Sequence, residues 1–164
     1  MKTTPNVTGE RMRLQYTPTM YLRSRSWCLV VIGIALGACS DRDEAEIRAD
    51  VTLLSNHEGA IAATAADHLA RFGRRGIPTI EAALHTASPP GKKNLIVALR
   101  KIGDVEAIPL LRHVATFEPS EDVRREAEWT LKQWAGDDGN RARAAAARAA
   151  VRAMEEARGA EQAG

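Results

Sequence analysis

A chain of 164 residues has room for one modest domain with extensions. Residues 1–38 hold five basic residues and one acidic residue, so residues 39–164 carry a formal net charge of −2, which argues against a generally basic nucleic-acid-binding protein. Aromatic residues make up only 4% of the chain while alanine is abundant, and this composition favours packed helices over a β-sandwich.

The first predicted element is a leader at the amino-terminal end. Arg23 and Arg25 precede an apolar run of 11 residues, Cys28 to Ala38, which then meets the charged stretch SDRDEAE. A helix needs about 20 residues to cross a bilayer, whereas this order of basic, apolar and small residues is typical of a signal peptide. We therefore predict a signal peptide over 1–38, because an ordinary buried strand or core helix leaves that order unexplained.

The end of the apolar run resembles the lipobox of bacterial lipoproteins. Leu36-Gly37-Ala38-Cys39 carries the leucine, the two small residues and the cysteine in the order of that motif. The resemblance implies cleavage between Ala38 and Cys39, a diacylglyceryl thioether on Cys39, and acylation of the new amino group by a fatty acid such as palmitate. Several acyl chains hold a protein firmly on a membrane, since one chain alone binds reversibly.

The lipobox also bears on location, cysteine chemistry and the start of translation. Ser40 stands where an aspartate resembles an inner-membrane retention signal, which favours the outer membrane, with the domain facing the periplasm. Cys28 leaves with the leader and Cys39 carries lipid, so the mature chain has no thiol pair for an internal disulfide. We predict translation from Met20, because this start gives a more compact basic region.

Residues 44–136, after a short linker over 39–43, contain a repeat of about 30 residues. The segment LARFGRRGIPTIEAAL at 69–84 matches LRKIGDVEAIPLLRHV at 99–114, and a third unit ends in LKQWAG. Apolar residues between these landmarks recur at the spacing of amphipathic helices. The expected core positions are Ile47, Val51, Leu54, Ile61, Ala65, Leu69, Phe72, Leu95, Ala98, Leu99, Ile102, Ile108, Leu111, Val114, Ala115, Val123, Ala127, Leu131 and Trp134. Such hairpins bury their apolar faces by stacking, so we predict an all-α solenoid of about three hairpins.

Turn-forming residues separate the predicted helices. Asp104 and Ser120 are expected N-caps, and SPPG at 88–91 and EPS at 118–120 are expected to break the pairs of helices. Three glycines stand where a helix should end in the left-handed conformation, Gly73, Gly103 and Gly136.

The later units are similar to short HEAT repeats of the type called PBS lyase-like. That pattern has an IGD turn, an A-IP-x-L helix and a VR-x-x-A-x-x-x-L helix, carried here by Ile102-Gly103-Asp104, Ala107-Ile108-Pro109-Leu110 and Val123 to Leu131. The match extends over 92–136, departs from the pattern within 58–91, where Gly73-Arg74-Arg75-Gly76 lacks the aspartate, and is thin over 43–57. The resemblance implies the solenoid fold and transfers no lyase activity.

The tail, residues 137–164, is rich in alanine and arginine. Asn140 is expected to cap a helix over 141–158, in which only Val151 and Met154 supply large apolar side chains. High helix propensity with little apolar surface gives weak packing. The sequence is therefore compatible with a docked capping helix and with a free, frayed one.

No residues stand at the spacing of a catalytic or metal site. The four histidines, His57, His68, His85 and His113, form no HExxH or comparable pattern, and the chain has no Gly-rich phosphate loop and no GxSxG. We expect His68 to be a surface or helix-edge histidine. We predict neither enzyme activity, cofactor nor metal; the alternatives are an enzyme or chromophore-lyase accessory protein on the same fold, and an uncleaved signal-anchored membrane protein.

The second helices of the repeats predict a binding surface, because they line the concave side of HEAT-like stacks. The resemblance places six residues there, called the predicted groove: Lys93, Val97, Arg100, Arg125, Trp129 and Lys132. Tryptophan and arginine are frequent anchors of protein interfaces, although basic residues also solvate helices and a docked tail would cover Trp129. The sequence predicts a lipid-anchored scaffold of the cell envelope that binds unidentified envelope proteins and no nucleic acid.

Overall fold

A computed structural model describes residues 41–163, and all regular elements in that range are helices. The α-helices are α1 (41–56), α2 (Ala60–Phe72), α3 (Ile77–Leu84), α4 (Pro89–Ile102), α5 (Ile108–Phe117), α6 (Glu121–Ala135) and α7 (Arg141–Ala163). Short 3₁₀ turns at Gly73–Gly76 and Val105–Ala107 lead into α3 and α5. The predicted start at Met20, the signal peptide and Cys39 lie outside the described residues.

Three helical hairpins, α1–α2, α3–α4 and α5–α6, stack in chain order. Their second helices form one layer, in which α2 packs against α4 and α4 against α6. Side chains from every hairpin and from α7 join in one apolar core. The predicted all-α solenoid of about three hairpins is confirmed.

Most residues that the periodicity predicted lie in the core; Phe72 and Ile102 are partly buried against it, and Ile61 is an exception. Leu69, Leu99 and Leu131, the landmarks of the repeat, are all 0% exposed, and Trp134 is buried as expected of a packing residue. Ile61 is 51% exposed, so its assignment to the core was wrong. It lies on α2 where no other helix of residues 41–163 covers it.

The helix ends follow the turn residues in part. Gly73 ends α2 with a positive φ of 57°, but its ψ of −139° lies outside the predicted left-handed helical conformation. Gly103 adopts the left-handed conformation and Asp104 accepts a hydrogen bond from the Glu106 N–H, as predicted. Gly136 has φ of −92° and continues the right-handed turn, so the predicted left-handed end is wrong there. The SPPG stretch begins α4, with Ser88 as N-cap, because proline lacks only a hydrogen bond that the first turn cannot make.

The tail helix α7 docks on the last hairpin. It packs against α5 and α6 and buries one row of small and apolar side chains, Ala144, Ala147, Ala150 and Met154. The Arg143 guanidinium donates to the Gly103 carbonyl at 2.8 Å, pairs with Asp137 and lies 5.2 Å from the Trp134 ring centroid. Alanine allows a close approach of the helices, and Arg143 fixes the first turns of α7.

Among the described helices, none has the length and apolar character needed to span a bilayer.

Candidate functional site

The packing of α4 against α6 brings two residues of the predicted groove together. The Arg100 guanidinium lies 4.6 Å from the Trp129 ring centroid and donates to the Glu126 carboxylate at 2.7 Å. Trp129 remains 51% exposed, so the docked α7 does not cover it. We call Arg100, Glu126 and Trp129 the Arg100–Trp129 cluster. In this cluster the guanidinium of Arg100, from the neighbouring hairpin, holds the exposed indole of Trp129 in place.

The other residues of the predicted groove flank this cluster on α4 and α6, except Lys93. Val97 is half-buried and lies one turn before Arg100 on α4, while Arg125 lies one turn before Trp129 on α6. Lys132 follows Trp129 on the same helix. Lys93 is exposed at the other end of α4, in a separate cleft that it shares with Glu58 and Asp122.

Carboxylates offset the positive charge of the groove. Besides the bond from Arg100 to Glu126, Arg125 donates to Asp122 at 2.8 Å and Lys132 lies 2.7 Å from Glu128. These acids stand three or four residues from the cations or on the neighbouring helix. These carboxylates were not predicted from the sequence, because only the basic positions of the repeats were compared. With them, the surface is a charge-balanced rim around the Trp129 side chain.

Glu128 ties this surface to the tail helix. Its carboxylate pairs with Lys132 and, at 3.1 Å, with Arg158 of α7. The hydrogen bond from Lys132 holds the pKa of Glu128 below its ordinary value, with a further contribution from Arg158 and against the opposing effect of partial burial. Glu128 therefore holds the ammonium group of Lys132, which lies one turn after Trp129 on α6.

A second feature is an open cleft of about 660 Å³ between α1 and α2. Its polar centre is a pair in which His68 Nδ1 lies 2.5 Å from Asp50 Oδ2, beside the apolar side chains of Leu53 and Ile61. The Thr64 hydroxyl in the same cleft donates to the Ala60 carbonyl. The pair thus fixes the orientation of an imidazole at the rim of the cleft.

Sequence reasoning placed His68 at a surface and missed Asp50 as its partner. The signal was present in the repeat itself, because Asp50 stands 30 residues before Ile80, a position that the second hairpin buries completely. A carboxylate at a core position of the repeat requires a hydrogen-bonding partner.

In the part of the chain that the structure describes, no three His, Cys, Asp or Glu side chains are grouped to hold a metal ion.

Comparison with known proteins agrees with the architecture. A family model described as HEAT repeats matches residues 51–132, half of the chain, from within α1 to within α6. No curated protein and no solved structure matches the chain significantly. With three stacked hairpins and this match, the chain belongs to the HEAT-repeat family.

Proposed function

We propose that the chain is a lipid-anchored protein of the bacterial cell envelope that binds protein partners through the Arg100–Trp129 cluster. HEAT repeats form a helical scaffold of the protein-interaction type, and the cluster supplies an anchor on it. The observation that carries the proposal is the exposed Trp129 indole, held by Arg100 from the adjacent hairpin. Buried tryptophan and arginine contribute most to the binding energy of many interfaces.

The cluster is preorganised for binding. Arg100 is already fixed by Glu126, and Lys132 by Glu128, so a partner would immobilise few additional side chains. Ordering a long side chain costs about 0.5–1.5 kcal/mol at an interface, and this cost is reduced where the side chain is already fixed. The paired charges form the polar rim that surrounds the apolar centre of an ordinary interface.

Affinity capture from membranes with matched aromatic variants tests the surface. Trp129→Ala should lose the partners that the wild type retains, whereas Phe117→Ala, a 70% exposed aromatic on α5, should keep them. Both side chains are exposed, so thermal melts should confirm that neither change unfolds the protein. Identical partner lists for the wild type and Trp129→Ala would refute the surface.

The anchor rests on the lipobox at residues 36–39, immediately before α1, whose described part begins at residue 41. Acyl chains on Cys39 would hold the solenoid within a few residues of the bilayer. Tethering raises the effective concentration of the module toward other membrane-associated proteins without any further contact. This is the mechanism that we propose for its action as an adaptor.

Two cysteine substitutions, one as the test and one as its control, examine the lipid anchor. Cys39→Ser should release the protein from the membrane fraction and remove the mass of the lipid, while Cys28→Ser should change neither property. Ser40→Asp should shift the protein from the outer to the inner membrane. An unchanged membrane fraction and intact mass in Cys39→Ser would rule out lipidation.

A further inference from the structure

The amino-terminal end of the stack presents a face that the later hairpins bury. By the repeat spacing, Ile61 on α2 corresponds to Gly91 on α4 and Val123 on α6, and both of these are buried. Ile61 is 51% exposed, and the neighbouring Leu53 on α1 is 37% exposed. Within residues 41–163, no hairpin covers this face, which exposes apolar side chains of the kind found at an internal repeat contact beside the polar Asp50–His68 pair.

Helices cover the equivalent faces of the later hairpins. The structure that would cover the face around Ile61 should therefore have the shape of a helix. The preceding hairpin packs on α4 so closely that a Cβ atom on Gly91 would lie 2.5 Å from the Ser55 carbonyl oxygen. The same layer continues from α4 to α6. A helix is thus the element that fits the face around Ile61.

An unmatched cation on the open face indicates the charge of that helix. In the second hairpin, Lys101 lies 2.5 Å from Asp67, a carboxylate of the preceding helix α2. Arg71 stands 30 residues before Lys101, at the equivalent position, and is exposed. Within residues 41–163 it has no carboxylate partner, so a covering helix with a carboxylate would complete the pattern.

We propose that the occupant is α2 of a second copy of this chain. Asp67 and Arg71 lie one turn apart on α2 and both line the open cleft. A twofold axis between them brings Arg71 of each copy to Asp67 of the other, which is the self-complementarity that a symmetric dimer requires. Lys101 contacts only one oxygen of Asp67, so the other oxygen is left for Arg71.

Membrane anchoring assists this pairing, and this step rests on the proposed function. Acyl chains on Cys39 place the amino-terminal ends of all copies in one plane, next to the bilayer. Confinement in a plane raises the local concentration of the two faces and allows a small interface to form.

Thiol crosslinking of the full-length chain in membranes tests the pairing. Thr64→Cys places a thiol in the open cleft, five residues from the midpoint between Asp67 and Arg71. At a rise of about 1.5 Å per residue the thiols of two paired copies lie about 15 Å apart, so a bis-maleimide of that reach should give a dimer of twice the mass on a denaturing gel. Glu81→Cys, an exposed position on α3, should stay monomeric. Arg71→Asp and Asp67→Arg should each reduce the Thr64→Cys dimer several-fold, and the two changes together should restore it.

The outcomes separate this proposal from the proposed function. Equal crosslinking with and without the charge changes, no dimer, or an adduct with a different protein would each overturn the pairing of two copies. A crosslinked dimer of the parental chain would reveal a free Cys28 or Cys39 and contradict lipidation instead. In that case the same variants in a Cys28→Ser/Cys39→Ser chain decide the pairing, with thermal melts to verify folding.

Discussion

His68 Nδ1 lies 2.5 Å from Asp50 Oδ2, and this pair replaces buried side chains of the later hairpins. The corresponding residues are Ile80 and Leu111 for Asp50, and Ala98 and Thr130 for His68, all 0% exposed. A terminal repeat needs a more polar outer side than an internal one. Within residues 41–163, the Asp50–His68 pair thus gives the first hairpin a polar contact that the later hairpins lack, and it joins α1 to α2.

Removal of the imidazole should destabilise the first hairpin. His68→Ala leaves the buried Asp50 carboxylate without its partner, which we expect to lower the free energy of unfolding by about 1–3 kcal/mol. Asp50→Ile combined with His68→Ala gives the first hairpin the apolar pair of the second, Ile80 and Ala98. Most of the lost free energy of unfolding should then be recovered, because an apolar pair replaces a buried polar pair at little cost. Urea unfolding at neutral pH measures both changes.

His85→Ala is the matched control, since His85 is exposed at the end of α3 and should change the free energy of unfolding little. Equal stability of His68→Ala and the wild type would mean that the Asp50–His68 bond contributes nothing in solution.

The fold was predictable from the sequence because it depends on short-range periodicity. Stripes of apolar residues and the spacing of Leu69, Leu99 and Leu131 fixed the hairpins and their order. The exposure of Ile61 was not predictable from the same pattern, because a helical stripe does not reveal which face lacks a covering helix. The cluster around Trp129 was predicted in part, since the register aligned Arg100 and Trp129 on neighbouring helices while the carboxylates came from positions that were not compared.

A methyl group on Gly91 should disturb the contact between the first two hairpins. The Ser55 carbonyl oxygen lies 2.5 Å from the Cβ position, and a backbone atom cannot turn away as a side chain can. We expect Gly91→Ala to lower the free energy of unfolding by about 1–3 kcal/mol, despite the higher helix propensity of alanine. Gly159→Ala in α7, where no atom lies within 4 Å of the Cβ position, should leave stability unchanged or raise it. A stabilised Gly91→Ala would disprove the close approach.

The docking of α7 should depend on Arg143. Arg143→Ala removes the bonds to the Gly103 carbonyl and Asp137 and the contact with the Trp134 ring, so α7 should open more often. Amide hydrogen exchange in residues 141–160 should become faster, while exchange in α4 stays slow. Arg152→Ala, an exposed arginine of the same helix, should leave both rates unchanged. Unchanged exchange in Arg143→Ala would show that the alanine row alone holds the helix.

The stabilising effect of Glu128 should disappear in acid. Lys132 and Arg158 lower the pKa of Glu128 in the folded state. The contribution of Glu128 to the free energy of unfolding is therefore complete above its unfolded-state pKa and is lost as pH falls through its folded-state pKa. At pH 7, Glu128→Gln should be less stable than the wild type by about 0.2–1 kcal/mol, the range of a largely solvent-accessible ion pair. Urea unfolding should show that this difference in the free energy of unfolding is present at pH 7 and shrinks toward zero at pH 3.

Glu81→Gln, an exposed glutamate of α3, should show little difference at either pH. A difference for Glu128→Gln that persists at pH 3 would trace its effect to packing against Lys132 and Arg158 and not to the charge of the carboxylate.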